Sequence, residues 1–207
     1  MLHRAVITTT LAAGGTPVHD GDQSIVLHGV SWEQYETLRA MFDDRPGLRM
    51  TYLEGTLELM SPSRTHEKVK SLIGRLIEHY AFERDIPLYG YGSMTFKKEA
   101  KERGLEPDEC YAVGEDMKEI PDIAIEVTLT SGGVDKLAVY AGLGVPEVWF
   151  WWEGRIAIHR LAGDAYEAQP RSQFLPDLDL VLLATLSGAS DQVAALRAWH
   201  ELIRNKA

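Results

Sequence analysis

The sequence predicts an α/β protein, because strand-like and helix-like segments alternate unevenly along the chain. Two stretches carry this prediction. A helix from about His66 to Arg84 has apolar residues at the spacing of one helical face. The run from Pro121 to Leu129 contains Ile-Ala-Ile-Glu-Val-Thr-Leu, whose β-branched content is typical of a strand. We therefore expect a central mixed sheet with helices packed against it.

The first half of the chain contains one long helix among shorter elements. In chain order we predict an irregular N-terminal arm over residues 1–23, a short strand Ser24–Leu27, a helix capped by Ser31, a hairpin Leu48–Met60, the helix His66–Arg84, a bent strand Asp85–Lys98 and a charged loop Glu99–Gly104. Residues 24–207 are expected to form a single domain.

The second half is predicted to hold most of the strands. These elements are a hairpin of Glu106–Val113 with Pro121–Leu129, a helix starting near Lys136, a strand Val145–Trp152, a hairpin of Gly154–Leu161 with Ala165–Ala168, a strand within Phe174–Leu186 and a closing helix Asp191–Arg204. The closing helix has one apolar face, which packs on the core or pairs with a partner chain. We interpret Asp177 and Asp179 as structural, because no lysine follows at a useful distance.

Composition limits the classes of function. The 207 residues are 45% hydrophobic and carry a formal net charge of −10, with pI ≈ 5.2, so bulk electrostatic binding to nucleic acid is disfavoured. Two local basic groups oppose this trend, although each also fits a solvated face; they are Arg64, Lys68 and Arg75, and Lys97, Lys98, Lys101 and Arg103. Cys110 is the only cysteine and is expected in the core. No apolar run has the length of a membrane span, and a cytoplasmic location is the default expectation.

Three residues around the predicted hairpin suggest chemistry. Glu126 is an isolated acid in an apolar strand, where an unpaired carboxylate would cost several kcal/mol, and Asp108 lies on the neighbouring strand. Two nearby carboxylates favour Mg²⁺, which binds one or two of them together with water and phosphate oxygens. Lys136 follows the glycine pair Gly132-Gly133 at the start of a helix, and can point its ammonium at whatever the metal holds.

These motifs resemble the Uma-type restriction endonuclease family, a branch of the PD-(D/E)XK nuclease superfamily. The resemblance rests on Pro107-Asp108, Glu126-Val127, the run from Lys136 to Trp149, and an upstream stretch from Tyr52 to His66. It covers roughly Val30 to Leu186 and implies a restriction-endonuclease-like core. In the superfamily pattern the lysine lies two positions after the acid, which here is Thr128. The Uma-type branch is understood to supply it from the following helix, which matches Lys136.

Two further residues enter through the same resemblance. Glu54 fits a solvated turn acid, but an additional acid beside the metal could orient a water or bind a second ion. His66 fits a packed or capping histidine, but could also lie beside the scissile phosphate. Neither alternative is decided by the sequence.

The expected function is Mg²⁺-dependent or Mn²⁺-dependent hydrolysis of phosphodiester bonds in DNA by a homodimer. Asp108, Glu126 and the carbonyl of Val127 would hold the ion, and Lys136 would orient or deprotonate the attacking water. Three alternatives stay open: a catalytically inactive nuclease-fold domain that binds nucleic acid or protein, an enzyme for another phosphodiester or acidic metabolite, and a core ion pair in which Lys136 neutralises Glu126.

Overall fold

The structure is a computed structural model that describes residues 7–8, 21–42, 47–129 and 133–205, with the backbone alone at 7–8 and 205. Within these ranges the chain forms five α-helices and two six-stranded sheets, which confirms the α/β prediction. The helices are α1 (Trp32–Phe42), α2 (Arg64–Glu83), α3 (Lys136–Leu143), α4 (Leu180–Ser187) and α5 (Gln192–Asn205). None of these helices is long and apolar enough to cross a bilayer.

The first sheet is antiparallel throughout. Its strands are β1 (Ile7–Thr8), β2 (Gln23–His28), β3 (Arg49–Leu53), β4 (Thr56–Ser61), β6 (Phe96–Lys98) and β7 (Arg103–Leu105), in the order β1-β2-β4-β3-β7-β6. The predicted hairpin with Glu54-Gly55 in its turn is therefore β3–β4. The short 3₁₀ helix Glu99–Lys101 and β7 replace the predicted charged loop.

The second sheet is mixed and carries the expected hairpin. Its strands are β5 (Leu88–Gly90), β8 (Glu109–Val113), β9 (Ile123–Val127), β10 (Glu147–Trp152), β11 (Arg155–Ala162) and β12 (Ala165–Gln169), in the order β12-β11-β10-β9-β8-β5. The pairing of β9 with β10 is parallel, and α3 makes the crossover between them. Such a crossover places the first turn of α3 near the end of β9.

Three apolar clusters hold the layers together. The largest joins α2, α4 and α5 to one face of the second sheet, and includes Ile77, Trp149 and Trp199. A second cluster joins α3 to the opposite face, and the third packs α1 on β3 and β4. The inner face of α5 carries Ala195, Trp199 and Ile203, whereas Leu202 is 39% exposed. The apolar face of α5 is thus largely buried within the chain's own core.

One predicted element is wrong in type. The apolar run after Asp179 forms the helix α4 instead of a strand. Asp179 caps this helix, since its carboxylate accepts a hydrogen bond from the N–H of Leu182 at 3.0 Å. A short, wholly apolar run has no period that separates a buried strand from a buried helix, so only its packing among α2, α5 and β11 decides its type.

Parts of the predicted N-terminal arm lie outside the described residues, as does Gly132. Of residues 1–23, the described ones are 7–8 and 21–23, and Ile7–Thr8 pairs with β2.

Candidate active site

The two acids expected at the centre of the site are buried at adjoining strand ends. Asp108 immediately precedes β8, and Glu126 is the penultimate residue of β9. The register pairs Glu109 with Ile125, so Asp108 comes opposite Glu126 when the ladder is extended by one residue. Their exposed fractions are 1% and 0%. One oxygen of Asp108 accepts the N–H of Val127 at 2.7 Å, which ties the two strand ends together.

Lys136 reaches Glu126 from the first turn of α3. Asp135 caps this helix by accepting the N–H of Ala138 at 3.1 Å, so the helix begins at Lys136 itself. The ammonium lies 2.5 Å from Glu126 Oε2, and the hydroxyl of Tyr140 donates to Glu126 Oε1. Lys136 and Tyr140 are one helical turn apart, so both side chains can hydrogen-bond the same carboxylate. The position of the lysine agrees with the sequence expectation.

His66 connects the N-terminus of α2 to the same acids. Its Nε2 lies 2.9 Å from Asp108 Oδ1, and its Nδ1 lies 2.9 Å from Asp22 Oδ2. A carboxylate offers only acceptors, so a ring held between two of them is an imidazolium, which hydrogen-bonds Asp22 through Nδ1 and faces Asp108 through Nε2 as an ion pair without hydrogen-bond geometry. His66 is completely buried. It is therefore a packed residue, as one of the two interpretations from the sequence expected, and it contacts an acid of the candidate site without lining the cleft.

Asp22 is a site residue that the sequence did not reveal. Besides contacting His66, its Oδ1 accepts the N–H of Ser63 at 2.8 Å. Ser63 in turn caps α2 by accepting the N–H of His66 at 3.1 Å. Asp22 thus holds both the residue that caps α2, Ser63, and the imidazole ring of His66 in the first turn of α2. Because it lies in a polar stretch before β2, no local pattern distinguished it from a solvated acid.

Glu58 is a second acid that the sequence analysis missed, although a signal was present. It lies in β4 between Leu57 and Leu59, and is 7% exposed. Its carboxylate accepts the N–H of Val134 at 3.3 Å, in the segment just before α3. A Cβ at Gly133 would overlap this carboxylate, and Gly133 also has φ of 98°, so glycine is required there. An isolated acid in an apolar strand was the criterion that identified Glu126.

Glu54 is not brought to this site in the structure. It is in the tight turn between β3 and β4, with a side chain that is 62% exposed. Its carboxylate forms an ion pair with Arg103 at 2.8 Å, and Arg103 also donates to the carbonyl of Ala138. Four residues further along the same hairpin, Glu58 supplies the acid that faces the cleft. Glu54 is exposed because it lies in the turn itself, between the two strands, where its side chain is directed away from the interior of the sheet.

A cleft of about 290 Å³ opens above the buried acids. It is lined by Asp22, Ser24, Glu58, Met60, Val127, Thr128, Leu129, Val134, Asp135, Lys136, Leu137 and Phe150. Lys136 and Val127 line it and contact the buried acids Glu126 and Asp108, respectively, although neither acid lines the cleft. We call these four residues the floor of the cleft. The side chain of Lys136 retains 22% exposure, so its ammonium is reachable from the cleft.

The cleft and its floor hold more negative than positive charge. Four buried or nearly buried carboxylates are present, from Asp22, Glu58, Asp108 and Glu126, and they face two cations, Lys136 and His66. With all four carboxylates ionised, the excess is two negative charges, apart from Asp135, which is exposed and engaged in capping α3. Oxygen ligands with an uncompensated charge of two are chemically suited to a hard divalent cation. The donor set therefore fits Mg²⁺ or Mn²⁺ in type and in charge.

Burial and neighbouring charges shift the pKa values of these groups in opposite directions. Burial alone lowers the pKa of His66, but Asp108 and Asp22 outweigh it and raise that pKa to about 9. Burial opposes ionisation of Asp108, yet His66, Lys136 and the N–H of Val127 hold its pKa below the usual value. Burial together with Asp108 raises the pKa of Glu126, and Lys136 opposes this rise. Lys136 keeps its proton because Glu126 and Asp108 raise its pKa despite burial.

The basic groups noted in the sequence are partly engaged. Arg64 and Lys68 are exposed near the start of α2, close along the helix to His66. In the other group, Lys97 forms an ion pair with Glu36 at 2.5 Å, and Arg103 is held by Glu54. The N-terminal turns of α2 therefore carry exposed positive charge, on residues that lie about 200° around the helix from His66 and do not line the cleft.

Comparison with known proteins agrees with this arrangement. The model of the Uma2 family, described as "Putative restriction endonuclease", matches residues 32–194, which is more than half of the chain. Comparison with curated proteins gives no match. The matched range contains every site residue described above except Asp22 and Ser24, and it includes both sheets' central strands. The chain therefore belongs to the Uma2 family of restriction-endonuclease-like proteins.

Proposed function

We propose that this protein is a metal-dependent nuclease that hydrolyses phosphodiester bonds in DNA. The observation that carries the proposal is the excess of two negative charges on nearly buried carboxylates around an open cleft. An ion pair that served only to stabilise the core would leave no such excess, because uncompensated buried charge costs several kcal/mol. The family's description supports the nuclease class, and the cleft's chemistry supports a divalent cation as its cofactor.

Asp108, Glu126 and the carbonyl of Val127 are the proposed ligands. A bound Mg²⁺ or Mn²⁺ supplies charge neutralisation, polarises the phosphodiester and lowers the pKa of a bound water. His66 holds Asp108 from the side away from Val127, and Tyr140 holds one oxygen of Glu126. Both residues therefore position the acids instead of touching substrate.

Lys136 is the proposed catalytic cation. Its ammonium is already protonated and reachable from the cleft, so it is suited to stabilise charge on the phosphate and to orient the attacking water. In the hydrolysis, the water oxygen forms a bond to phosphorus while the bond to the leaving oxygen breaks. The water loses one proton to the medium, and the leaving oxygen takes up one proton. A lysine that keeps its proton favours the orienting role over the role of general base.

The cleft's size and surroundings favour a single phosphate group over an intact base pair as its occupant. At about 290 Å³, it accommodates a phosphodiester with its ions and waters. Arg64 and Lys68 are exposed in the first turns of α2, where they can contact phosphates elsewhere along the backbone. DNA is therefore engaged through its backbone, and the net charge of −10 is compensated only locally.

A second candidate function is supported by a specific observation. All four oxygens of Asp108 and Glu126 already contact donors of the chain itself, namely Val127, His66, Lys136 and Tyr140. This self-satisfied arrangement also suits a catalytically inactive nuclease-fold domain that binds nucleic acid or protein. The two functions differ in whether a metal displaces Lys136 from Glu126.

The test is cleavage of supercoiled plasmid and single-stranded DNA with Mg²⁺ or Mn²⁺, and with EDTA as a blank. We expect Asp108→Asn and Lys136→Met each to lose roughly 100-fold or more in rate, the order found when a charge-stabilising group is removed from a site. The matched control uses a second acid–lysine pair, the nearly buried Asp122 and the partly exposed Lys118, which are 2.6 Å apart and do not line the cleft.

Asp122→Asn and Lys118→Met should keep wild-type activity. Equal activity in all five proteins would identify a contaminating nuclease. Absence of cleavage together with absence of saturable Mg²⁺ binding in calorimetry would overturn the proposal in favour of the inactive domain. Cleavage of a small phosphodiester but not of DNA would move the substrate to that class.

A further inference from the structure

A second cluster of metal-binding residue types lies at the opposite end of α2. His79 and Glu83 are one helical turn apart near the C-terminal end of α2, and His200 faces them from α5. At a rise of about 1.5 Å per residue, His66 and His79 are about 20 Å apart along the helix. This cluster is therefore separate from the cleft. Among the described residues, these three side chains bring one potential ligand atom each to within 4.8 Å of the other two.

The three ligand atoms converge on one point. Nε2 of His79 lies 3.1 Å from Nδ1 of His200 and 3.5 Å from Oε1 of Glu83, and the remaining separation, His200 Nδ1 to Glu83 Oε1, is 3.7 Å. Ligands bound to Zn²⁺ at about 2.0–2.1 Å in a tetrahedron are about 3.3–3.4 Å from each other. The observed separations bracket this value, so an ion fits among the three atoms without large movement.

The ring arrangement and the helix end also favour a cation. The imidazole planes of His79 and His200 are inclined by 60°, so the ring bodies diverge while their nitrogens meet. Glu83 is the last residue of α2, where the unsatisfied carbonyls of the helix terminus attract positive charge. The three side chains are 28%, 24% and 43% exposed, so solvent has access to a fourth ligand position.

We propose that His79, Glu83 and His200 form a Zn²⁺ site that joins α2 to α5. Two imidazoles and one carboxylate favour Zn²⁺ over Mg²⁺, because the ligands are mostly nitrogen. A water completes the tetrahedron. Nδ1 of His79 is buried with no hydrogen-bond partner among the described residues, so the ring lacks the outer support usual for a ligand. We therefore expect an affinity roughly 10–100-fold below that of a fully supported site.

The test is titration of the metal-free full chain with Zn²⁺ in the presence of excess Mg²⁺. Mg²⁺ occupies oxygen-ligand sites and competes poorly for imidazole, so binding at the cleft does not obscure the result. We expect one equivalent of Zn²⁺ by calorimetry, and a raised melting temperature. Co²⁺ should give the visible absorption of a tetrahedral ion with nitrogen ligands.

His79→Ala and His200→Ala should lose this binding and this absorption while retaining the wild-type circular dichroism spectrum. Glu83→Gln should weaken binding by roughly 10–100-fold. His28→Ala is the matched control, because His28 is exposed on β2 and distant in sequence from both helices. Glu126→Gln should also retain the Zn²⁺ equivalent, which separates this proposal from the nuclease proposal.

Two results would overturn the site. One is the absence of saturable Zn²⁺ and Co²⁺ binding in the wild type, which would leave a hydrogen-bonded histidine pair only. The other is binding that survives in both His79→Ala and His200→Ala, which would place the ion elsewhere.

Discussion

The two ends of α2 carry the same residue types in opposite surroundings. At the N-terminal end, His66 is fully buried and each of its nitrogens faces a carboxylate, from Asp22 and Asp108. At the C-terminal end, His79 is partly exposed and faces a second histidine and one carboxylate. In the first case the histidine is a cation that balances acids. In the second, the nitrogens of two histidines face each other and one carboxylate oxygen, which is the arrangement of the proposed Zn²⁺ ligands.

This difference indicates that the type of cation that suits a cluster of histidines and acids depends on its burial and on the ratio of carboxylates to imidazoles. Where acids outnumber cations in a nearly closed site, the surplus charge suits a hard ion with oxygen ligands. Where imidazoles outnumber acids at a helix end open to solvent, nitrogen ligands suit Zn²⁺. The two ends should therefore respond independently to substitution and to the choice of metal.

After the losses expected for Asp108→Asn and Lys136→Met, the next largest expected effect tests whether the charge surplus at the N-terminal end is functional. Glu58→Gln removes one negative charge from the cleft with little change in shape, so we expect Mg²⁺ affinity or DNA cleavage to fall by roughly 10–100-fold. Glu54→Gln, on the same hairpin but exposed and paired with Arg103, is the matched control and should change neither. Equal effects of the two substitutions on metal titrations and cleavage rates would remove Glu58 from the site.

The next effect concerns the charge of His66 in metal-free protein. Its pKa of about 9 exceeds the ordinary value of 6.5, so protonation of His66 stabilises the fold fully below pH 6.5, and this contribution is lost as pH rises through 9. We expect the free energy of unfolding in EDTA to fall between about pH 7.5 and 9. Urea unfolding measured at several pH values provides the test.

Glu109 is a second, half-buried titratable group, but its titration does not contribute to the slope expected between about pH 7.5 and 9. Burial raises the pKa of Glu109 to about 7, so its destabilising contribution grows between its ordinary pKa and about 7, and is complete above that. The slope above pH 7.5 should therefore disappear in His66→Gln and persist in His28→Ala. A slope unchanged in His66→Gln would show that His66 is not the titrating group.

The smallest effect compares two helix caps. Ser63→Ala and Asp179→Ala each remove the side-chain acceptor at the start of a helix, α2 and α4 respectively, and each should cost about 1 kcal/mol of stability. Only Ser63 holds the N–H of His66, so only Ser63→Ala should also lower cleavage, by a few-fold. Thermal melts and cleavage rates measured on both variants provide the comparison. A loss of cleavage in Asp179→Ala would mean that general destabilisation, and not the position of His66, limits the activity.

The central hairpin and the helix after it could be predicted because their signals are local. Alternation within a strand identified Glu126 as an acid in an apolar segment, and the glycine pair before Lys136 marked the start of a helix. The residues that were missed come from other places in the chain. Asp22 precedes β2 and Glu58 lies in β4, so neither is close in sequence to Asp108 or Lys136. The type of α4 also escaped prediction, since a short, wholly apolar run lacks a period.

The sequence by itself determined most of the helices and strands and which side chains are costly to bury without a partner. Periodicity and capping act within a few residues, so this information is present in the order of amino acids alone. Only the tertiary structure decided that acids from two different sheets meet around Lys136, that Glu54 points away, and that His200 reaches His79 across two helices. The physical reason is that these encounters depend on how sheets and helices pack over long sequence separations, where apolar burial sets the geometry and the charged groups are carried with it.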